Sequence, residues 1–143
     1  MTTVGRDDLG FLLAKATQRW NELLSERFRR EGFADVRPSY GSVLLPLFEE
    51  DGLRMGELAR RSRLSKQTMT TMVRRLERDG LVERRDDPAD GRASLVFLTS
   101  RSRALEPVAG KVLAELDRLA RTELGAAPLA EVKAQLTRLL ELG

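Results

Sequence analysis

The 143-residue chain contains no cysteine and no histidine. The first absence excludes disulfides and thiol redox sensing, and the two together exclude the ordinary zinc sites. Nucleophile and base pairs of the Cys-His or Ser-His kind are excluded as well. The carboxylate runs that remain, Asp86-Asp87 and Glu49-Glu50-Asp51, read as solvated faces or helix ends rather than as an acid and its base. No enzyme and no cofactor are therefore expected. Also missing is any apolar run long enough to span a bilayer, and the opening residues MTTVGRDD lack the pattern of a signal peptide. The expected location is the cytoplasm, with no membrane partner. The length suits one domain of ordinary size.

What is present is concentrated between Leu53 and Thr99. Glu57 to Arg61 reads as a short helix after Gly56, a tolerated cap, with Glu57 in the first turn where the helix dipole favours an anion. Leu64 ends the turn that follows, and Ser65 is the expected N-cap of a strongly amphipathic run. Its apolar residues Met69, Met72, Val73 and Leu76 fall at i, i+3, i+4 and i+7 and form one stripe. The opposite face carries Lys66, Gln67, Thr68, Thr70, Thr71, Arg74, Arg75 and Arg78, hydrogen-bonding side chains in front and cations behind. Gly80 should stop this helix. The period then drops to near 2: Leu81 to Arg85 and Ser94 to Leu98 read as strands, joined by turn chemistry over Asp87-Pro88-Ala89-Asp90-Gly91. Arg92 at the hairpin tip is flanked by small or turn-forming residues, so its guanidinium can reach outward. Two short helices, a tight turn and a charged hairpin in this order make a winged helix-turn-helix, a device for reading duplex DNA.

Charge is distributed in keeping with that reading. Positions 54 to 103 hold 13 lysines plus arginines against 7 carboxylates, a balance of +6, while the rest holds 12 against 15, or −3. A basic module in a mildly acidic frame is the electrostatic footprint of phosphate contact and predicts salt-sensitive binding. Of the 25 basic residues 21 are arginine, which a GC-rich genome also produces; such a bias accounts for the richness better than for the clustering.

The flanks supply long helices. Leu9, Leu12, Leu13, Ala16, Trp20, Leu23, Leu24 and Phe28 predict a helix from about Asp8 to Glu31, broken by Gly32. Ser39 is expected to cap a second helix running to about Glu50 and bent at Pro46. After Thr99 comes a helix carrying Leu105, Val108, Val112, Leu113, Leu116, Leu119 and Leu124, its start blurred by Pro107. A last helix from about Pro128 to Leu142 carries Leu129, Val132, Leu136, Leu139 and Leu140. These helices hold more apolar side chains than a lone wing module covers. The expected architecture is mainly α with a small β-hairpin wing: a winged helix-turn-helix over 36–104 flanked by helical dimerisation regions, 1–35 and 105–143. A homodimer would set two such modules about 34 Å apart, suiting a pseudo-palindromic operator; a closed monomeric core is the alternative.

Gly56-Glu57-Leu58-Ala59, Leu64-Ser65-Lys66-Gln67-Thr68, Arg75-Leu76-Glu77, Gly80-Leu81-Val82-Glu83-Arg84-Arg85, and Asp87-Pro88-Ala89-Asp90-Gly91-Arg92 leading to Leu98-Thr99 follow one another along the chain. In these residues, and in the long helices on both sides, the chain resembles the MarR family of bacterial transcriptional regulators over almost its full length. The order and spacing of the segments carry the specificity. The resemblance implies a dimer in which the helix from Ser65 to Asp79 enters the major groove while Arg92 reaches the adjacent minor groove. Gln67, Thr68 and Thr71 would then reach base edges, where glutamine can pair with adenine, with Ser65 and Thr70 among the other DNA contacts. Lys66, Arg74, Arg75, Arg84 and Arg85 fit phosphate contacts, which position without specifying, although Arg75 also suits an intramolecular ion pair. Arg92 would sense groove width, or stand as a plain hairpin-tip charge.

The chain departs from the family pattern at four positions. Thr71 stands where arginine is frequent, Arg74 where aspartate is, Arg63 where the turn often has glycine, and Gly91 where a second wing cation is usual. Arg63 then either adopts a left-handed backbone at about 1 kcal/mol or changes the turn. The resemblance also implies a small-molecule effector, aromatic or amphipathic, between the dimer helices and the reading module, with Arg19, Trp20, Arg27, Tyr40, Val43 and Leu44 on the segments concerned. The expected function is a repressor that binds double-stranded DNA and is released by that ligand. The competing reading is a winged-helix module that docks an acidic protein partner without specific DNA binding.

Overall fold

The protein, seen here as a computed structural model, is described over residues 4–143; the first three residues of the expected dimerisation region lie outside the described residues. Helix α1, Leu9–Arg30, opens with Asp8 Oδ2 accepting the Phe11 amide at 3.1 Å and ends at Glu31, as its apolar spacing predicts. A 3₁₀ turn over Pro38–Tyr40 runs straight into α2, Gly41–Glu49. Ser39 is therefore not the cap: Pro38, whose fixed φ suits a first helical position, starts the turn one residue earlier, and no side chain caps it. Pro46 sits inside α2 without ending it. It cannot donate to the Ser42 carbonyl, and the Ser62 hydroxyl at the end of the next helix donates there instead. The donor lost to proline becomes a tie between two helices.

Strand β1, Leu53–Arg54, is too short to show any periodicity, and the sequence reading missed it. Because β1 is extended up to Arg54, α3 begins at Met55 and runs to Arg61; Gly56 lies inside it rather than capping it. The turn to α4, Lys66–Arg78, takes Arg63 through φ +55°, the left-handed alternative. That conformation lets Leu64 N–H reach the Ala59 carbonyl at 3.0 Å and closes the end of α3. At the far end of α4 Gly80, φ +73°, does the same for Leu81 N–H and the Leu76 carbonyl at 2.8 Å.

Strands β2, Val82–Asp87, and β3, Asp90–Leu98, form the hairpin, with β1 on the other side of β3, all antiparallel. The strands run further towards the tip than their sequence suggests, and only Pro88 and Ala89 lie between them. A register shift at Asp86/Asp87 accommodates this, with the buried Asp87 accepting Ala89 N–H and the Arg54 Nε at 2.8 Å. Leu81 precedes the strand and is buried.

Helix α5, Ser100–Leu124, starts at a reciprocal capping box between Thr99 and Ser102, so Pro107 plays no part in its start and is carried within it. After Gly125 comes α6, Ala126–Leu139, which begins two residues before the expected Pro128 and ends three before Leu142; Pro128 still falls in its first turn.

One continuous core joins α1, α2, α3, α4, the sheet and the first part of α5. Met69, Val73 and Leu76 on α4 are fully buried in it, with Leu58, Leu81, Val96 and Leu105. That anchorage leaves the other face of α4 pointing out of the protein. No helix among the described residues is long and apolar enough to cross a membrane.

Candidate nucleic-acid interface

The outward face of α4 begins at its cap. Ser65 Oγ accepts the Thr68 amide at 3.1 Å and donates to Thr68 Oγ1 at 2.9 Å. Thr70 and Thr71 turn their hydroxyls back onto the carbonyls of Lys66 and Gln67, at 2.8 and 3.2 Å. Lys66, Gln67, Thr68, Thr71, Arg74 and Arg75 are exposed, and Thr70 is half-buried. The structure therefore brings the eight α4 candidates, Ser65 included, onto one surface, with Arg92 exposed at the wing beyond.

Ion pairing sorts the cations of this module. Arg60 and Arg61 share Glu57, whose carboxyl their hydrogen bonds hold down at about 2. Arg54, Arg63, Arg78, Arg101 and Arg103 each face a carboxylate within 4 Å. Among the described residues, Lys66, Arg74, Arg75 and Arg92 have no ion-pair partner. The intramolecular pair weighed for Arg75 is thus not formed. At the wing, Asp90 Oδ1 accepts the Arg92 backbone amide at 3.1 Å, which leaves the Arg92 guanidinium unclaimed. Arg84 and Arg85 are also exposed but engaged, Arg84 with Glu77 at 3.1 Å and Arg85 with Glu83 while lying 4.3 Å over the Phe97 ring. Surface pairs of this kind contribute only about 0–1 kcal/mol, so an incoming phosphate can displace them.

The rear of α4 is fixed by a network that sequence reasoning missed. Tyr40 is buried and its hydroxyl donates to Asp79 Oδ2 at 2.6 Å. This bond holds the Asp79 carboxyl below its usual range, while burial first and the Asp79 bond second push the Tyr40 hydroxyl up. Arg101 donates to the Asp79 carbonyl at 2.6 Å and clasps both oxygens of Asp35. A cation at a helix C-terminus complements the dipole there. The start of α2 and the start of α5 thus both grip the end of α4.

The six expected effector residues are dispersed. Tyr40 and Leu44 line an apolar cavity of about 130 Å³ with Leu24, Phe28, Phe48 and Leu105. Val43 is wholly buried in the core. Arg19 faces an open polar groove beside Glu22, Arg29 and Arg37. Arg27 packs at the seam of α1 and α5, its Nε buried without a hydrogen bond and 3.4 Å from the Glu115 carboxylate. Trp20 is partly exposed on α1 and lines neither space.

Comparison with known proteins supplies the identity. The HTH-type transcriptional repressor Rv2887 of Mycobacterium tuberculosis is 36% identical over 119 residues, which is 74% of this chain and 86% of that protein. The MarR family description matches residues 38–94, the helix-turn-helix and most of the wing. The chain belongs to the MarR family. The HTH-type transcriptional regulator TtmR of Methylorubrum extorquens is 42% identical over 64 residues, 45% of this chain, which spans only 33% of that relative's length. Among solved structures, a mutant MarR from E. coli complexed with operator DNA superposes with a TM-score of 0.80 at 27% identity, covering 92% of this chain and 93% of that one. The PcaV transcriptional regulator of Streptomyces coelicolor, in complex with its natural ligand, gives 0.82 at 25% identity, covering 99% and 98%. The protein is a MarR-family transcriptional regulator with the winged-helix fold of that family.

Proposed function

We propose that this MarR-family protein is a homodimeric repressor that occupies a pseudo-palindromic operator and is released by a small amphipathic ligand. The four unpaired cations carry the reading. Between Arg54 and Arg103 ion pairs hold the other arginines, while among the described residues Lys66, Arg74, Arg75 and Arg92 stand exposed and unpaired along α4 and the wing. Residues 36–104 form the reading module, and 1–35 with 105–143 join the two copies. Helix α4 lies in the major groove, where Gln67, Thr68 and Thr71 meet base edges, and Arg92 enters the neighbouring minor groove. The operator-bound relative in E. coli supports this docking by analogy.

Salt dependence tests the central claim. Two protomers with four unpaired cations each predict that log K falls against log salt with a slope of about −7 on random duplex. Negligible duplex affinity at about 0.1 M salt would instead favour docking of an acidic protein. Arg92→Ala is expected to weaken operator binding by about 1–3 kcal/mol; unchanged affinity in a titration of the operator would remove the wing from the interface.

The apolar cavity beside Tyr40 and Leu44 supports ligand release. Its volume is close to that which accepts a benzene-sized ring, and its wall includes the side chain that holds the end of α4 through Asp79. A ligand releases DNA only if it binds more tightly to the protomer arrangement that no longer fits the operator.

A further inference from the structure

We infer that Gln67 and Thr71 together read an A·T-containing step in each operator half-site, Gln67 through adenine and Thr71 through the methyl group of thymine. This rests on the operator-binding reading above. The two residues are four apart on α4, so they share one face, and both are exposed. Thr71 Oγ1 donates to the Gln67 carbonyl at 3.2 Å. Its proton is committed to the helix, which leaves Thr71 no donor for a base and puts the weight of its readout on the Cγ2 methyl. Thr68 differs: its Oγ1 accepts from Ser65, which leaves its own proton free. The Gln67 carboxamide makes no hydrogen bond among the described residues, so its paired donor and acceptor match N7 and N6 of adenine.

Thymine alone carries an apolar group on its major-groove edge, and a threonine methyl is a known kind of partner for it. The neighbouring Lys66, Arg74 and Arg75 are bare cations suited to phosphate, so the patterned part of this face is the Gln67 amide, the Thr68 hydroxyl and the Thr71 methyl. Four residues advance about 6 Å along a helix and bases stack about 3.4 Å apart. The two positions read must therefore lie no more than two base pairs apart.

Operators selected from random duplex with the full chain provide the test, each thymine being replaced singly by deoxyuridine, which removes only the methyl. At one position per half-site, affinity should fall about fourfold, the effect of one buried methyl. Thr71→Val keeps a methyl there and should show the same fall, whereas Thr71→Ser should bind thymine and uracil duplexes equally. Gln67→Ala should relax base preference within two base pairs of that position. Indifference of the unaltered chain to uracil everywhere, persistence of the fall in Thr71→Ser, or a larger spacing would each overturn the inference. Failure to select any duplex at low salt would overturn the operator reading itself, a result distinct from duplex retained with its methyls ignored.

Discussion

Glutamate placed at Leu136 on α6, or at Leu12 on α1, is expected to convert the homodimer proposed above into a particle of 16.1 kDa and to lower operator affinity by roughly 10²- to 10⁴-fold. Both leucines are about half exposed in the single chain, at 41% and 49%. They are not isolated: Leu9 and Leu13 on α1, Leu119 and Leu124 on α5, and Leu140 and Leu142 just past α6 are exposed as well. Leu9 at the start of α1 lines a depression with Gln135, Arg138, Leu139 and Leu142, so the start of α1 lies beside the end of α6. Exposed leucines in this number on three helices suit an interaction surface, and a carboxylate buried there without a partner is strongly unfavourable. Loss of the second copy turns a two-site encounter into two independent weak ones. On a truly solvated face the same substitution would change stability by only about 0.5 kcal/mol and leave assembly alone. Sedimentation with an operator titration on each variant separates the two cases: unchanged mass and unchanged affinity would remove this face from the dimer.

The sequence was legible where structure is decided by neighbours. Helices α1 and α4 start and stop where their own caps direct, at Asp8, Ser65 and Gly80, because a side chain three residues away or a left-handed glycine settles each end. The outward face of α4 followed from the same periodicity. Features decided by distant contacts were not legible. Tyr40 meets Asp79 across 39 residues and Arg101 meets Asp35 across 66; no local pattern announces either. Strand β1 exists because Leu53 and Arg54 find Val96 and Leu95. The effector candidates failed to converge for the same reason. Helical spacing placed Arg19, Trp20 and Arg27 on α1 but could not say which neighbour each would face, and only Tyr40 and Leu44 share a cavity. Which exposed cations stay free was equally hidden, since Arg84 and Lys66 look alike until Glu77 is seen beside the first.

Leu76→Ala is expected to destabilise the protein by about 2–5 kcal/mol, a large share of the roughly 5–15 kcal/mol that holds a domain together. Leu76 is fully buried, lies on the inner stripe of α4 with Met69 and Val73, and sits just before the turn in which Leu81 N–H closes onto its carbonyl. Truncation leaves a cavity under the last turn of α4, next to the Tyr40–Asp79 and Arg101 contacts that fix the end of the helix. The expected cost therefore lies towards the upper part of that range if these contacts hold the backbone in place and towards the lower part if the helix collapses inward. Arg74→Ala, on the opposite face of the same helix and without an ion-pair partner among the described residues, should change stability by about 0.5 kcal/mol or less while weakening duplex binding and flattening its salt slope by about 1 per protomer. Urea unfolding and duplex titration on the two variants read the two faces of α4 separately. A loss below about 1 kcal/mol for Leu76→Ala would mean that α4 is not anchored by this stripe. A stability loss for Arg74→Ala larger than its effect on binding would mean that its guanidinium serves the fold instead of the DNA.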